Sequence, residues 1–199
     1  MEKKIIEAVE RNKVPVGEVL ARYLTQRESI FEIGSGTGQH AVYFASKFRN
    51  LVWQTSELPD NIKNLKSWID ESCLDNVPEP LNFNVENFVG RSQSYDAVFT
   101  ANTLHYFTKT ALANFFSCAQ KILKRNGILL VYGPFKLDEN FVSNGDFMLD
   151  VFLKKQNPEY GIKNLFKLNQ KAKMCGFKLN SVHFLPMNNK LIAWLVQRN

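Results

Sequence analysis

Cysteine is scarce and poorly placed for cross-linking. Cys73, Cys118 and Cys175 stand far apart, odd in number and without a CxxC spacing. That pattern excludes a disulfide framework and offers no zinc-ligand set, so reduced thiols in a cytoplasmic protein are expected, with no metal. Long hydrophobic runs are missing too. No stretch approaches the ~20 apolar residues that a membrane span needs, and Met1-Glu2-Lys3-Lys4 leads into a mixed helical pattern without the apolar core of a signal peptide. Nor is charge gathered into blocks. The 25 Lys and Arg against 19 Asp and Glu give a formal charge of +6, but the basic residues form only short pairs such as Lys154-Lys155. Scattered charge reads as a solvated surface, because nucleic-acid binders usually cluster their basic residues. Internal repeats and low-complexity linkers are absent, so one domain over 1–199 is expected, long enough to bury a core. Composition leaves the oligomeric state open.

What is present is a regular alternation of strand-like and helix-like segments. Lys3–Leu24 carries a loose helical pattern interrupted at Val14-Pro15, which reads as two short helices. Ser29–Ile33 suits a buried strand, and 38–48 a helix with Ala41, Val42, Phe44, Ala45 and Phe48 on one side. A second strand is expected over 51–56, a helix over 61–73, a third strand over 80–85 and a fourth over 95–100. Ala111, Leu112, Phe115, Phe116, Ala119, Ile122 and Leu123 mark a helix ending near Asn126-Gly127. The next six residues, GILLVY, are almost wholly apolar, as in a strand covered on both faces. This βαβ succession implies an α/β protein with a mostly parallel sheet between helical layers. The tail reads as helices over 144–157 and 164–175, then strands over 177–185 and 190–197. The short turn Pro186-Met187-Asn188-Asn189 forces those two strands to pair antiparallel.

The chemistry is expected where the first strand ends, in FEIGSGTGQH (31–40). Ligands of open α/β sheets bind at the carboxyl ends of strands, and glycines there let a ligand approach bare backbone. A phosphate-binding P-loop requires GxxxxGK[ST], and no Lys follows here. The dinucleotide fingerprint GxGxxG is broken, because Gln39 stands where its third glycine belongs. Glu32, just before the glycines, would repel a pyrophosphate but suit a free ammonium, which favours an amino-acid-bearing cofactor over NAD. Glu57, at the predicted end of the second strand, can accept two ribose hydroxyls; NAD and S-adenosylmethionine sites share that use.

EIGSGTG followed by an acid closing the second strand resembles the class I S-adenosylmethionine-dependent methyltransferases, over roughly residues 29–198. The resemblance implies a Rossmann-like, seven-stranded, mostly parallel sheet with its last strand antiparallel and helices on both faces. ERNKVP, AVFTANTLHYF, VYGPF and PMNNKL are, more narrowly, similar to the signatures of a widespread methyltransferase-like family that brings no established substrate. By resemblance, residues 1–28 form N-terminal helices over the cofactor site, 29–133 the cofactor-binding core, and 134–199 the substrate-side helices and terminal hairpin. Glu32 and the backbone of Gly34, Ser35 and Gly36 are then expected to hold the methionine portion. Glu57 would grip the ribose, with Leu58 beside the adenine and Val85 in the same cofactor wall. Asn84 would approach the adenine amino group where many class members have Asp. Thr100, Ala101 and Asn102 would pass close to the transferring methyl.

Two readings stand beside each chemical candidate. His105, in ANTLHY after the fourth strand, is a candidate general base because an imidazole titrates near neutrality; otherwise it orients its loop. Tyr132 is a catalytic or substrate-facing candidate, or a core tyrosine with a bonded hydroxyl. Arg11 and Asn12 would close over the cofactor as a lid, or simply end a helix. His40 reads as solvated or capping, and His183 as structural. Asn188 and Asn189 are turn residues from which a side chain could line the substrate mouth. The Asn-Pro-Pro-aromatic segment of adenine-N6 and glutamine methyltransferases is replaced by ANTLHY, and no Cys has the Pro-Cys context of cytosine-C5 enzymes. A small-molecule acceptor is what remains, with 140–162 forming much of its pocket wall. An enzyme methylating O or N of such a molecule, yielding S-adenosylhomocysteine, is one hypothesis. The other is a non-catalytic S-adenosylmethionine-binding module that works through a protein partner.

Overall fold

The computed structural model describes residues 5–88, 93–138 and 140–197. A single sheet runs through the molecule. β1 (Ser29–Ile33), β2 (Val52–Glu57), β3 (Leu81–Asn82), β4 (Tyr95–Ala101) and β5 (Leu123–Lys136) are mutually parallel. β7 (Phe177–Phe184) and β8 (Asn189–Val196) form the terminal hairpin, and β8 pairs antiparallel with both β5 and β7. The order is β3-β2-β1-β4-β5-β8-β7, the seven-stranded Rossmann-like plan. β6 (Lys163–Asn164), which pairs with the far end of β5, was not foreseeable, because two residues carry no periodicity.

Helices cover both faces, and the period-two alternation of the strands decides which core each residue joins. On one face α1 (Glu7–Leu24), α2 (Gln39–Lys47) and α3 (Ile62–Ser72) bury Leu20, Phe44 and Leu65 against Trp53 and Phe99. On the other, α4 (Lys109–Ile122) and α6 (Leu165–Met174) bury Phe115, Phe116 and Leu168 against Val98 and Val131. α5 (Asn144–Gln156) lies between β5 and β6 in the chain. Thr108, Ser143 and Asn164 start α4, α5 and α6 by accepting, through their side chains, the amide of the residue three positions on.

Three expectations need correction. The two N-terminal helices are one: α1 runs through Pro15. An internal proline removes one helical bond at a cost of about 3 kcal/mol. Burial of Val16, Val19, Leu20 and Leu24 on the same face, at roughly 1.5–3 kcal/mol for each large side chain, exceeds it. The third strand keeps only Leu81–Asn82 before the chain turns, although Phe83 still donates its amide to the Glu57 carbonyl. α4 stops at Ile122 rather than near 126, and β5 begins at once, with Asn126 at a φ of 62° ahead of GILLVY. Among the described residues, no helix is long and apolar enough to cross a membrane.

Candidate functional site

At the carboxyl ends of β1, β2 and β4 lies a cavity of about 1250 Å³, lined mainly by apolar area. That exceeds the roughly 300–1,000 Å³ usual for one small-molecule site, so there is room for two ligands. The three glycines after β1 shape the loop beneath it in different ways, and Gly34 and Gly36 line it. A Cβ on Gly34 would stand 2.7 Å from Thr103 Cγ2, and one on Gly38 would stand 2.9 Å from Leu65 Cδ1. Those two therefore pack the loop against its neighbours. A Cβ on Gly36 would meet nothing within 4 Å, so this glycine presents backbone to open space, where a ligand can lie on it.

Two carboxylates flank that loop. Glu57, at the end of β2, accepts the Gly36 amide on Oε2 at 2.7 Å and the Leu58 amide on Oε1 at 2.8 Å. Asn61 Nδ2 also donates to Oε1, at 3.5 Å; of the carboxylate's roughly four lone-pair positions, the one left open is on Oε2, where a ligand hydroxyl can bond. Glu32 is almost fully enclosed and accepts Ser35 Oγ at 3.0 Å and Trp53 Nε1 at 2.9 Å, both on Oε2. Burial, aided by the charge of Glu57, pushes its carboxyl up to about 7. A cationic group entering beside it would favour the ionised form. Leu58 and Val85 also line this half. Asn84 does so from a turn rather than from a strand end, and its Oδ1 accepts the Glu86 amide at 2.9 Å. The oxygen expected to meet an adenine amino group is thus already shared with the turn.

Ala101 and Asn102 line the cavity beyond β4; Thr100 does not. Strand alternation places Thr100 with Val98 and Val131 on the α4 face, fully buried, its Oγ1 without a hydrogen-bond partner among the described residues. The expectation that Thr100 approaches the reacting atoms is therefore corrected. Asn102 takes a φ of 54° and donates its amide to the Tyr132 carbonyl at 2.9 Å, which ties the ends of β4 and β5 together.

The other half of the cavity holds His105, Tyr106, Tyr132, Asp146, Leu149 and Asn189. His105 sits in a 3₁₀ turn, Leu104–Tyr106, whose position is fixed by the Gly161 amide bonding to the His105 carbonyl at 2.8 Å. Burial, with the Lys163 charge nearby, pushes its imidazole down to about 4, so the ring is neutral at pH 7 and has a free lone pair. Burial also pushes Tyr132 up to about 12, against hydrogen bonds from Asn189 and Asn12. Asn189 Nδ2 donates to the phenolic oxygen at 2.9 Å.

Sequence reasoning undervalued His40. Its Nε2 lies 2.6 Å from Asn12 Oδ1. An amide oxygen only accepts, so Nε2 carries the hydrogen and Asn12 Nδ2 is left to donate to Tyr132. With two N–H groups on its oxygen, Tyr132 has its own hydrogen for the cavity. Gln39, read only as a missing glycine, is a clasp: its Oε1 accepts the Ile6 amide at 2.7 Å and its Nε2 donates to Glu10 Oε1 at 3.1 Å. Together Gln39 and His40 hold α1 across the cavity, where Val9, Arg11 and Asn12 line it. Arg11 is largely exposed and pairs with Glu7. No signal in the sequence linked residues 39 and 40 to residues 6–12, because the contact joins separate helices. His183 is outside the site, in a hydrogen-bonded group with Tyr23 and Ser181. Among the described residues, no His, Cys, Asp or Glu cluster could hold a metal ion.

Residues 3–196 match the model of a family described as "Protein of unknown function (DUF938)". Among solved structures, the chain is similar to an O-methyltransferase family protein from Burkholderia thailandensis, with a TM-score of 0.82 and 14% identity over 97% of this chain and 58% of that one. Human N-acetylserotonin methyltransferase in complex with SAM gives 0.80 and 14%, over 96% and 53%. A putative methyltransferase from Bacillus halodurans C-125 gives 0.72 and 15%, over 92% and 98%. The chain thus spans little more than half the length of the first two. At these identities the likeness establishes the fold, that of the class I methyltransferases.

Proposed function

The chain belongs to this family of unknown function, and from that premise we propose that it binds S-adenosylmethionine and transfers a methyl group to oxygen or nitrogen of a small molecule. The observation that carries the reading is one cavity with two unlike halves. The open backbone at Gly36 and the acceptor position left on Glu57 Oε2 suit an amino-acid nucleoside. His105 and Tyr132 stand across from them in a half that this ligand does not need. The glycine loop, Glu32 and Glu57 therefore fit the cofactor that the fold family implies.

When bound, S-adenosylmethionine supplies a methyl carbon activated by a positive sulfur, so transfer is an in-line displacement. The protein's part is then alignment, plus removal of a proton where the attacking atom carries one. His105, neutral and facing the cavity, receives that proton. Tyr132, its oxygen occupied by the Asn12 and Asn189 amides, donates its hydrogen to a ligand acceptor atom. α1, clasped by Gln39 and His40, covers one side of the cavity.

The test is incubation of the protein with methyl-labelled S-adenosylmethionine and a small-metabolite extract. A labelled small molecule is expected, with yield falling by roughly 10²–10⁴-fold in His105→Ala while S-adenosylhomocysteine still binds. Product persisting in His105→Ala would remove His105 as the base. No product from any extract, with cofactor binding intact, would contradict transfer and favour a binding module.

A further inference from the structure

Four carboxylates and one guanidinium line the cavity, in a chain whose formal charge is +6. Three of the carboxylates have evident protein partners. Glu32 and Glu57 hold the glycine loop and its surroundings, and Glu86, exposed at the edge, accepts the Thr108 hydroxyl at 2.7 Å. The fourth is Asp146, in the first turn of α5 on the half away from the glycine loop, and it is 8% exposed. Of the described residues, only the Ser143 hydroxyl bonds to its carboxylate.

Lys190 faces Asp146 from β8 but does not pair with it. The Lys190 ammonium donates to the carbonyls of Asn188 at 2.7 Å and Phe135 at 3.1 Å, and no ion pair with Asp146 forms. Burial raises the Asp146 carboxyl above its ordinary value, opposed in part by the Lys190 charge and the Ser143 hydroxyl. A mostly enclosed carboxyl group without an ion-pair partner costs free energy unless something satisfies it, and a cationic group beside it would favour its ionised form. Aromatic faces stand in the same half: His105 and Tyr106 pack at 4.6 Å between ring centroids, and Tyr106 meets Tyr160 edge-on at 5.8 Å. A carboxylate and electron-rich rings lining one cavity suit an ammonium group.

We propose that Asp146 is the specificity-determining residue of the acceptor half, and that it takes the protonated amine of a small, largely apolar acceptor whose methylated atom faces His105. The inference rests on the methyltransferase reading and extends it to a substrate class. Anionic acceptors are excluded by the same carboxylate.

The test uses three probes of one shape and different charge: 2-phenylethylamine, 2-phenylethanol and phenylacetate. Each is titrated into the protein saturated with S-adenosylhomocysteine, and binding is followed by ligand-observed NMR. The amine is expected to bind about tenfold more tightly than the carboxylate, with the alcohol between them. Asp146→Asn is expected to remove about that tenfold from the amine and leave the alcohol unchanged. Phenylacetate binding as tightly as the amine, or an amine preference that survives Asp146→Asn, would overturn the proposal. Asp146 also suits a helix N-terminus, so the variant's melting temperature is read alongside. If the variant unfolds, the wild-type ranking decides. If S-adenosylhomocysteine itself does not bind, the methyltransferase reading fails separately, and the ranking on the cofactor-free protein still decides the role of Asp146.

Discussion

Replacing Glu57 by Ala removes the carboxylate position open to a ligand hydroxyl and releases the Gly36 and Leu58 amides and the Asn61 side chain. Loss of hydrogen bonds to a charged group should weaken S-adenosylhomocysteine by roughly 10- to 100-fold, read by calorimetry. Unchanged affinity would refute the placement. The chemistry of single residues was legible where sequence spacing fixes position. Glu57 closes a strand and Gly36 follows one, so both could be placed before any coordinates. Thr100 was misjudged because its side depends on the β4 register against β5. Asn84 was placed on a strand that ends two residues earlier. Asp146 had no motif at all; only the packing of α5 brings it to the cavity.

At the scale of elements, α1 was expected over the cofactor site, but its continuity and its anchoring were concealed in the sequence. Pro15 suggested a break, yet the buried face of Val16, Val19, Leu20 and Leu24 continues through it. What places α1 over the cavity is Gln39, buried at the start of α2 and bonded to the Ile6 amide and the Glu10 carboxylate. Gln39→Ala should therefore free the first turns of α1 without disturbing the sheet. Amide hydrogen exchange is expected to rise by about tenfold or more over residues 6–12, while the core strands keep their protection. A uniform rise across the chain would mean that Gln39 supports the whole fold instead. The strands and most helices were legible because their apolar patterns are long and regular. The clasp was not, because one side chain joining two helices leaves no periodic trace.

For the molecule as a whole, the buried titratable groups set how stability follows pH. Burial lowers both His40 and His105 from 6.5 to about 4, so the unfolded chain binds more protons than the folded one between those values. Stability should fall as pH drops from 6.5 to 4. Glu32 works the other way: raised from 4.5 to about 7, it favours the folded state at low pH and loses that contribution as pH rises. Two histidines outweigh one carboxyl, so the melting temperature should decline below pH 6.5, and His105→Gln should make that decline shallower. A melting temperature that climbs on acidification would contradict this balance. All three groups line the cavity on which the functional reading rests. Calorimetric titration of S-adenosylhomocysteine, with NADH as the comparison, tests it most directly. Saturable, roughly micromolar binding of S-adenosylhomocysteine and no binding of NADH is the expected result; tight NADH binding without S-adenosylhomocysteine binding would contradict it.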